Sequence, residues 1–296
     1  MTLSANPLQL KRNVRLRLLA AGACSHPEAL TLRGGTVRPV PFPAGFACIG
    51  HPEHGVVLFD TGYSARFFAE TARLPAALYR WITPVAYRDE DGAASQLRRL
   101  GIAADDVRYV VLSHFHADHI GGARDFPQAR FIYREEAYRA VARLGKLASV
   151  RAGYLPGLLP DDLAARSRPL EACAAVKLPG TMPFACGYDV FGDGSIVAVD
   201  IPGHAAGQIG LFLSTGPYTY FLCADAVWSS RAYREGRPPH RLAGLIMDNR
   251  EQYRDSFERI RRLHEAHPDI RIVPSHCGEA LAGWADAEEG GGGRWT

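Results

Sequence analysis

Val14, Leu16 and Leu18 alternate with Arg15 and Arg17, the period-two pattern of a strand with one wet face. Short apolar or alternating runs at 44–49, 56–60, 108–112, 130–133, 196–200, 209–213, 218–223 and 270–273 read as further strands. Helical spacing lies between some of them. Ala94, Leu97 and Leu100 recur at helix intervals over Ala93 to Leu100 and stop at Gly101. Arg134 to Leu144 and Asn249 to Ala266 are longer amphipathic stretches, with Glu251, Arg254, Asp255, Glu258, Arg259 and Arg262 supplying a polar face. Two groups of strands with helices interspersed predict a layered α/β fold rather than a helical bundle.

The segment 145–194 breaks this rhythm with Pro156, Pro160, Pro169, Pro179 and Pro183. It holds a helix-compatible stretch from Asp161 to Arg166 and ends in Gly192-Asp193-Gly194, a hairpin turn feeding a strand from Ser195 to Asp200. Such an insert is either a lid or pocket wall, or a plain surface excursion. The glycine-rich 287–296 reads as a flexible tail, which leaves one domain over 1–286.

Composition narrows the partners. A net charge of +3, with arginines spread and no basic block, gives no footprint for nucleic acid. Cysteines 24, 48, 173, 186, 223 and 277 form no CxxC pair, which fits reduced thiols in a cytoplasmic setting. Residues 11–24 superficially resemble a lipoprotein signal, but Arg15 and Arg17 interrupt its apolar part and favour the strand. No apolar run approaches membrane-spanning length, so no membrane partner is expected. A small-molecule substrate is. The oligomeric state stays open, a homodimer included.

The strongest chemical signal follows the strand that ends at Leu112. Residues 114–119 read His-Phe-His-Ala-Asp-His, four metal-capable side chains in six positions. Crowded imidazoles repel when protonated, whereas around a divalent cation they become neutral ligands in a compact cup. His204, Asp225 and His276 each end another strand-like run. Singly, each is an ordinary structural polar group. Together with the cluster they make five His and two Asp, a count suited to two metals. His26, His51, His54, His240, His264 and His267 belong to no such pattern and read as structural or surface residues.

The chain resembles the metallo-β-lactamase-fold superfamily. The resemblance rests on Leu58-Phe59-Asp60-Thr61-Gly62, on Ser113 to Gly122 (SHFHADHIGG), on Pro202-Gly203-His204 followed by Gly207-Gln208, on Asp225, and on Pro274-Ser275-His276. It implies an αββα sandwich with its site at one edge between two sheets. It places His114, His116 and His204 on one metal, Asp118, His119 and His276 on the other, and Asp225 across both. Asp60 either accepts a hydrogen bond from a ligating imidazole or caps the turn at Gly62.

Two cations sharing a carboxylate hold a bridging hydroxide, since metal binding lowers the pKa of water from about 16 to about 7. Asp118 and Asp225 then carry the catalysis, with Asp118 placed to shuttle a proton. Mixed imidazole and carboxylate ligation suits zinc; manganese, iron and cobalt also fit. An aspartate at 225 argues against a true β-lactamase. Leu19 to Cys24 and Pro41-Phe42-Pro43 are similar to N-acyl homoserine lactonases.

One departure stands out. Those lactonases carry a tyrosine three residues after the bridging aspartate, where this chain has Trp228. An indole N–H donates but exchanges no proton near neutral pH. Tyr233 is the nearby substitute; Trp228, Tyr233 and Tyr154 are candidates for an apolar substrate pocket or for plain core. The expected function is a dinuclear hydrolase of small esters or lactones. The alternatives are an oxidoreductase similar to persulfide dioxygenases, which hold one iron, and a non-catalytic metal-binding protein of the same fold.

Overall fold

The computed structural model describes residue 8 and residues 10–285, so the expected tail at 287–296 lies outside the described residues. The strands are β1 (Arg15–Pro27), β2 (Pro39–His51), β3 (Gly55–Phe59), β4 (Val85–Ala86), β5 (Val107–Val111), β6 (Arg130–Tyr133) and β7 (Ser167–Pro169), then β8 (Ala174–Lys177), β9 (Cys186–Asp189), β10 (Ile196–Asp200), β11 (Ile209–Ser214), β12 (Thr219–Ala224) and β13 (Arg271–Pro274). They build a seven-stranded sheet in the order β4-β1-β2-β3-β5-β6-β7 and a six-stranded sheet in the order β13-β12-β11-β10-β9-β8. β3, β5, β6 and β7 run parallel, as do β12 and β13.

Alternation within the strands sorts side chains into three cores. Val57 and Phe59 meet Ile196, Ala198, Leu211 and Leu222 in the core between the sheets. Val56 and Leu58 turn the other way and pack with Phe67, Ala93 and Leu97 from the helices Ala65–Glu70 and Ala93–Arg99. Val197, Val199, Phe212 and Phe221 face Tyr253, Phe257, Ile260 and Leu263 on the helix Arg250–Ala266. The layers are therefore helix, sheet, sheet, helix, the expected αββα sandwich. Burial on both faces explains why these strands read as continuous apolar runs.

β1 and β2 run well past the expected 14–19 and 44–49. Ala20 to Pro27 keeps pairing with Pro39 to Gly45 across a register shift between Ala20 and Ala23. The small residues and prolines there carry no period-two signal, and backbone pairing alone extends the ladder. Asp161 to Arg166 forms a short 3₁₀ turn over Leu163–Arg166 rather than an α-helix. The segment 145–194 is woven into the framework: β7 edges one sheet, and β8 and β9 edge the other.

Candidate metal centre

Every element that carries a candidate ligand ends at the same rim of the sandwich. Asp60 follows β3, His114 to His119 follow β5, His204 follows β10, Asp225 follows β12 and His276 follows β13. Two non-glycine residues there have left-handed backbone, Asp60 (φ 60) and Ala224 (φ 45). Such conformations cost about 1–3 kcal/mol and persist where surrounding contacts over-determine them. Here they swing the Asp60 and Asp225 carboxylates off their strands into the space between the sheets.

Backbone bonds across the sandwich hold the ligand loops. Ile209 N donates to Ser113 O at 3.1 Å, which ties the cluster after β5 to the opposite sheet. Gly45 N donates to Ser275 O at 3.0 Å, and the ring of His276 uses Nδ1 to donate to Pro43 O at 2.8 Å. Asp248 N donates to His204 O and Asn249 N to Gly203 O, which fixes the His204 loop to the start of the Arg250–Ala266 helix. Gly203 (φ +119) lies so close to that helix that an added Cβ would stand 2.0 Å from Tyr253 N.

The side chains converge in two sets. Ligand atoms of His114, His116 and His204 lie within 4.8 Å of one another, and so do those of Asp118, His119 and His276. Asp225 forms a third set with His114 and His119, one member from each of the others, on the same 4.8 Å criterion. Asp225 Oδ1 is 3.2 Å from His119 Nε2, while Oδ2 is 3.2 Å from His204 Nε2 and 3.0 Å from His276 Nε2. His204 Nε2 and His116 Nδ1 face each other at 2.9 Å. Asp118 Oδ2 is 3.3 Å from His276 Nε2. All seven side chains thus meet at one place.

Behind them, Asp60 turns both oxygens toward the cluster. Oδ1 accepts from Ser113 N at 2.8 Å, and Oδ2 receives the Ser113 hydroxyl and His119 Nδ1, both at 2.7 Å. Ser113 Oγ also lies 2.9 Å from His114 Nδ1. With Nδ1 engaged behind, His114 and His119 present Nε2 to the centre. His114 Nε2 is buried without a hydrogen-bond partner, a costly state for a polar atom, and His119 Nε2 and Asp225 Oδ1 have only each other, 3.2 Å apart. A cation at each set removes that cost, so the residues fit a metal pair.

Electrostatics agrees. Burial holds the His114 and His204 imidazoles well below their ordinary range and lowers His116 as well. Burial also opposes charge on His119 and His276, but Asp225 and neighbouring carboxylates outweigh it. His119 is raised well above the usual range, and His276 is pushed up to about 9. Burial disfavours the Asp225 carboxylate too, yet the imidazoles of His276, His119 and His204 hold it well below the usual range. The buried aspartates thus demand positive charge, and protons on His119 and His276 supply what a cation otherwise would.

Trp228 is buried behind Asp225. Its Nε1 donates to Asp225 Oδ2 at 3.1 Å, and its ring meets His204 edge-on with centroids 5.5 Å apart. Tyr233 and Tyr154 are not brought to the cluster. The Tyr233 hydroxyl donates to Ile272 O at 3.5 Å in the core beneath the long helix, and Tyr154 packs near Phe115 in the core of the other sheet. What opens on the cluster is a groove of about 330 Å³. Val141, Leu144 and Ala148 form one wall, Leu245, Ile246 and Met247 the other, with His116 and His204 at its end. The 245–248 wall carries no periodic signal in sequence. Ser113 lies inside the SHFHADHIGG stretch, where its position was visible and its role was not.

A further set, His51, His54 and Asp193, has ligand atoms equally close. Its chemistry differs. His51 Nδ1 accepts from the backbone N–H groups of Glu53 and His54, so the ring proton sits on Nε2, facing Ser195 Oγ at 2.8 Å and Asp193 Oδ2 at 3.1 Å. With no free lone pair, this ring is a staple between the sheets rather than a ligand.

Residues 49–276 match the metallo-beta-lactamase superfamily. The chain belongs to that superfamily. A probable metallo-hydrolase of Mycobacterium tuberculosis is 31% identical over 76% of this chain and 71% of its own length. The N-acyl homoserine lactonase AttM of Agrobacterium fabrum is 27% identical over 94% of this chain and 98% of its own length. Among solved structures, an N-acyl homoserine lactone hydrolase with N-hexanoyl-L-homoserine at its catalytic metal centre superposes with a TM-score of 0.69 at 19% identity, covering 92% of this chain and 97% of that one. The dizinc quorum-quenching lactonase AidC gives 0.62 at 16% identity, covering 90% and 88%. With these relatives the chain is a metallo-β-lactamase-like hydrolase that binds metal.

Proposed function

We propose that this chain is a dinuclear metal hydrolase of small esters or lactones with an apolar body. The observation that supports two metals is the position of Asp225, within reach of one imidazole from each of two ligand sets. His114, His116 and His204 would hold one ion, and Asp118, His119 and His276 the other. A donor set of imidazole nitrogen and carboxylate oxygen without thiolate suits zinc. When bound, such ions supply a Lewis acid and a water whose pKa falls from about 16 to about 7.

The chain's own groups do the rest. Asp60 fixes the His119 tautomer by accepting a hydrogen bond from its Nδ1–H, and Trp228 holds the Asp225 carboxylate in place. Asp118 is the carboxylate at the cluster's edge with no hydrogen bond committing it elsewhere among the described residues, and it takes up and returns the proton of the attacking water. The Trp228 N–H points to Asp225 rather than to substrate, so assistance to a lactone carbonyl does not come from this position. The groove walls accept the apolar part of the substrate. Lactone substrates are supported by AttM, which this chain covers almost end to end.

The test is metal-loaded protein assayed side by side on lactones, aryl esters, thioesters and phosphotriesters, with metal content measured. Two zinc ions per chain and turnover of lactones or esters support the reading. One iron per chain, or turnover of none of the four classes, overturns it. Changing His116 or Asp118 to Ala should abolish turnover and lower metal content; wild-type turnover in either variant would refute the assignment.

A further inference from the structure

One face of the molecule combines exposed apolar side chains with unpaired cations. The chain has no acidic residue between Glu70 and Asp89, and none between Glu136 and Asp161. These stretches carry the helices Ala77–Ile82 and Lys146–Arg151, which pack against each other. Leu74 (66% exposed), Trp81 (63%), Ile82 (72%) and Leu147 (69%) project from them into solvent. Arg73, Arg143, Lys146 and Arg151 are exposed alongside, with Arg80 half-buried. None of these five cations has an ion pair or side-chain hydrogen bond among the described residues. Other arginines are neutralised in Arg231–Glu28, Arg234–Glu279, Arg259–Asp255 and Arg261–Glu258, while Arg98, Arg108, Arg130 and Arg254 also stand without an ion pair among the described residues. What sets this face apart is unpaired cations beside exposed Leu, Ile and Trp.

We propose that this face docks on an anionic bilayer surface. Exposed Leu, Ile and Trp beside Lys and Arg is the pattern of an interfacial anchor: the apolar groups enter the headgroup boundary, Trp sits at its level, and the cations meet lipid phosphates. A second copy of the chain fits poorly, because a two-fold interface here would set five unneutralised cations against the same five. The helix Lys146–Arg151 also lines the groove to His116, so docking would open the groove toward amphiphiles dissolved in the bilayer. This departs from the expectation of no membrane partner, which rested on the lack of a spanning run; among the described residues no helix is long and apolar enough to cross a membrane, and surface docking needs none. Docking holds or fails independently of the hydrolase reading.

Co-sedimentation of the full chain with phosphatidylcholine vesicles, with and without phosphatidylglycerol, tests it. Binding should require phosphatidylglycerol and be lost when salt rises from about 0.1 M to about 1 M, which shortens the Debye length from about 10 Å to about 3 Å. The double variant Arg80→Glu/Lys146→Glu should bind at least about tenfold more weakly. Trp81→Ser/Ile82→Ser should bind more weakly at unchanged salt dependence. Both should keep wild-type hydrolysis of a water-soluble ester and wild-type melting, which separates docking from folding. Equal retention on neutral and anionic vesicles, or none on either, overturns the proposal. So does a wild-type dimer that Trp81→Ser/Ile82→Ser converts to monomer, which would give the face to a second copy.

Discussion

Asp60 and Trp228 act on the cluster from behind. Asp60→Asn should lower metal affinity about 10–100-fold, because the His119 tautomer is no longer fixed; competition against a chelator measures it. Trp228→Phe removes a donor to the Asp225 carboxylate while keeping an aromatic ring. Hydrogen bonds to charged groups contribute about 1.5–3 kcal/mol, so about a tenfold loss of turnover at saturating metal is expected, with the groove's substrate preference unchanged. The cluster was legible because His114, His116, Asp118 and His119 are neighbours in sequence and a loop after a strand brings them together at once. The partners were not. His276 finds the Pro43 carbonyl and Asp60 finds Ser113 and His119, contacts that exist only after the sheets close. Tyr233 illustrates the reverse: it is five residues from Trp228 in sequence, yet the helix Ser230–Arg234 carries it into the core under the long helix.

At the scale of elements, the strand-to-loop transitions set the ligand geometry. Gly203→Ala would force a Cβ into the backbone of Tyr253 and should cost about 3 kcal/mol or more, by strain and displacement of the long helix. Denaturant unfolding measures that cost, and a shift below about 1 kcal/mol would show that the His204 loop can move aside. The same helix is capped by Asn249, whose side chain accepts from Glu251 N and Gln252 N. Asn249→Ala should cost about 1 kcal/mol and weaken the His204 anchor with it. The long helix and central strands were readable from periodicity because each buries a regular face. The short helix Ala93–Arg99 was readable too, but the helices Ala65–Glu70 and Ala77–Ile82, the far halves of β1 and β2, and β7 to β9 carry no such period. Pairing with neighbours already in place makes them.

For the whole molecule, metal and fold are linked. The buried aspartates keep His276 up to about 9 against an ordinary 6.5, so in the metal-free chain its contribution to stability is complete below about 6.5 and fades as pH rises through about 9. His114, His116 and His204 are lowered, so their contribution is present above the ordinary histidine range and is lost on acidification. Metal-free protein should therefore melt highest near pH 6.5 and fall toward pH 9. Zinc at about a thousandfold above its Kd should add about 4 kcal/mol for each ion bound and remove the alkaline fall, which differential scanning calorimetry with and without chelator will show. A metal-free profile rising from pH 6.5 to 9 would contradict the charge balance described for the cluster. The sequence by itself determined the layered class and marked the candidate ligands, because strand periodicity and the adjacency of His114 to His119 are local properties of the chain. The tertiary structure alone decided that Asp225 stands between two ligand sets, that Trp228 braces it, and that the groove lies between residues 141–148 and 245–247. Those relations join segments far apart in sequence, and the closing of one sheet on the other brings them within reach.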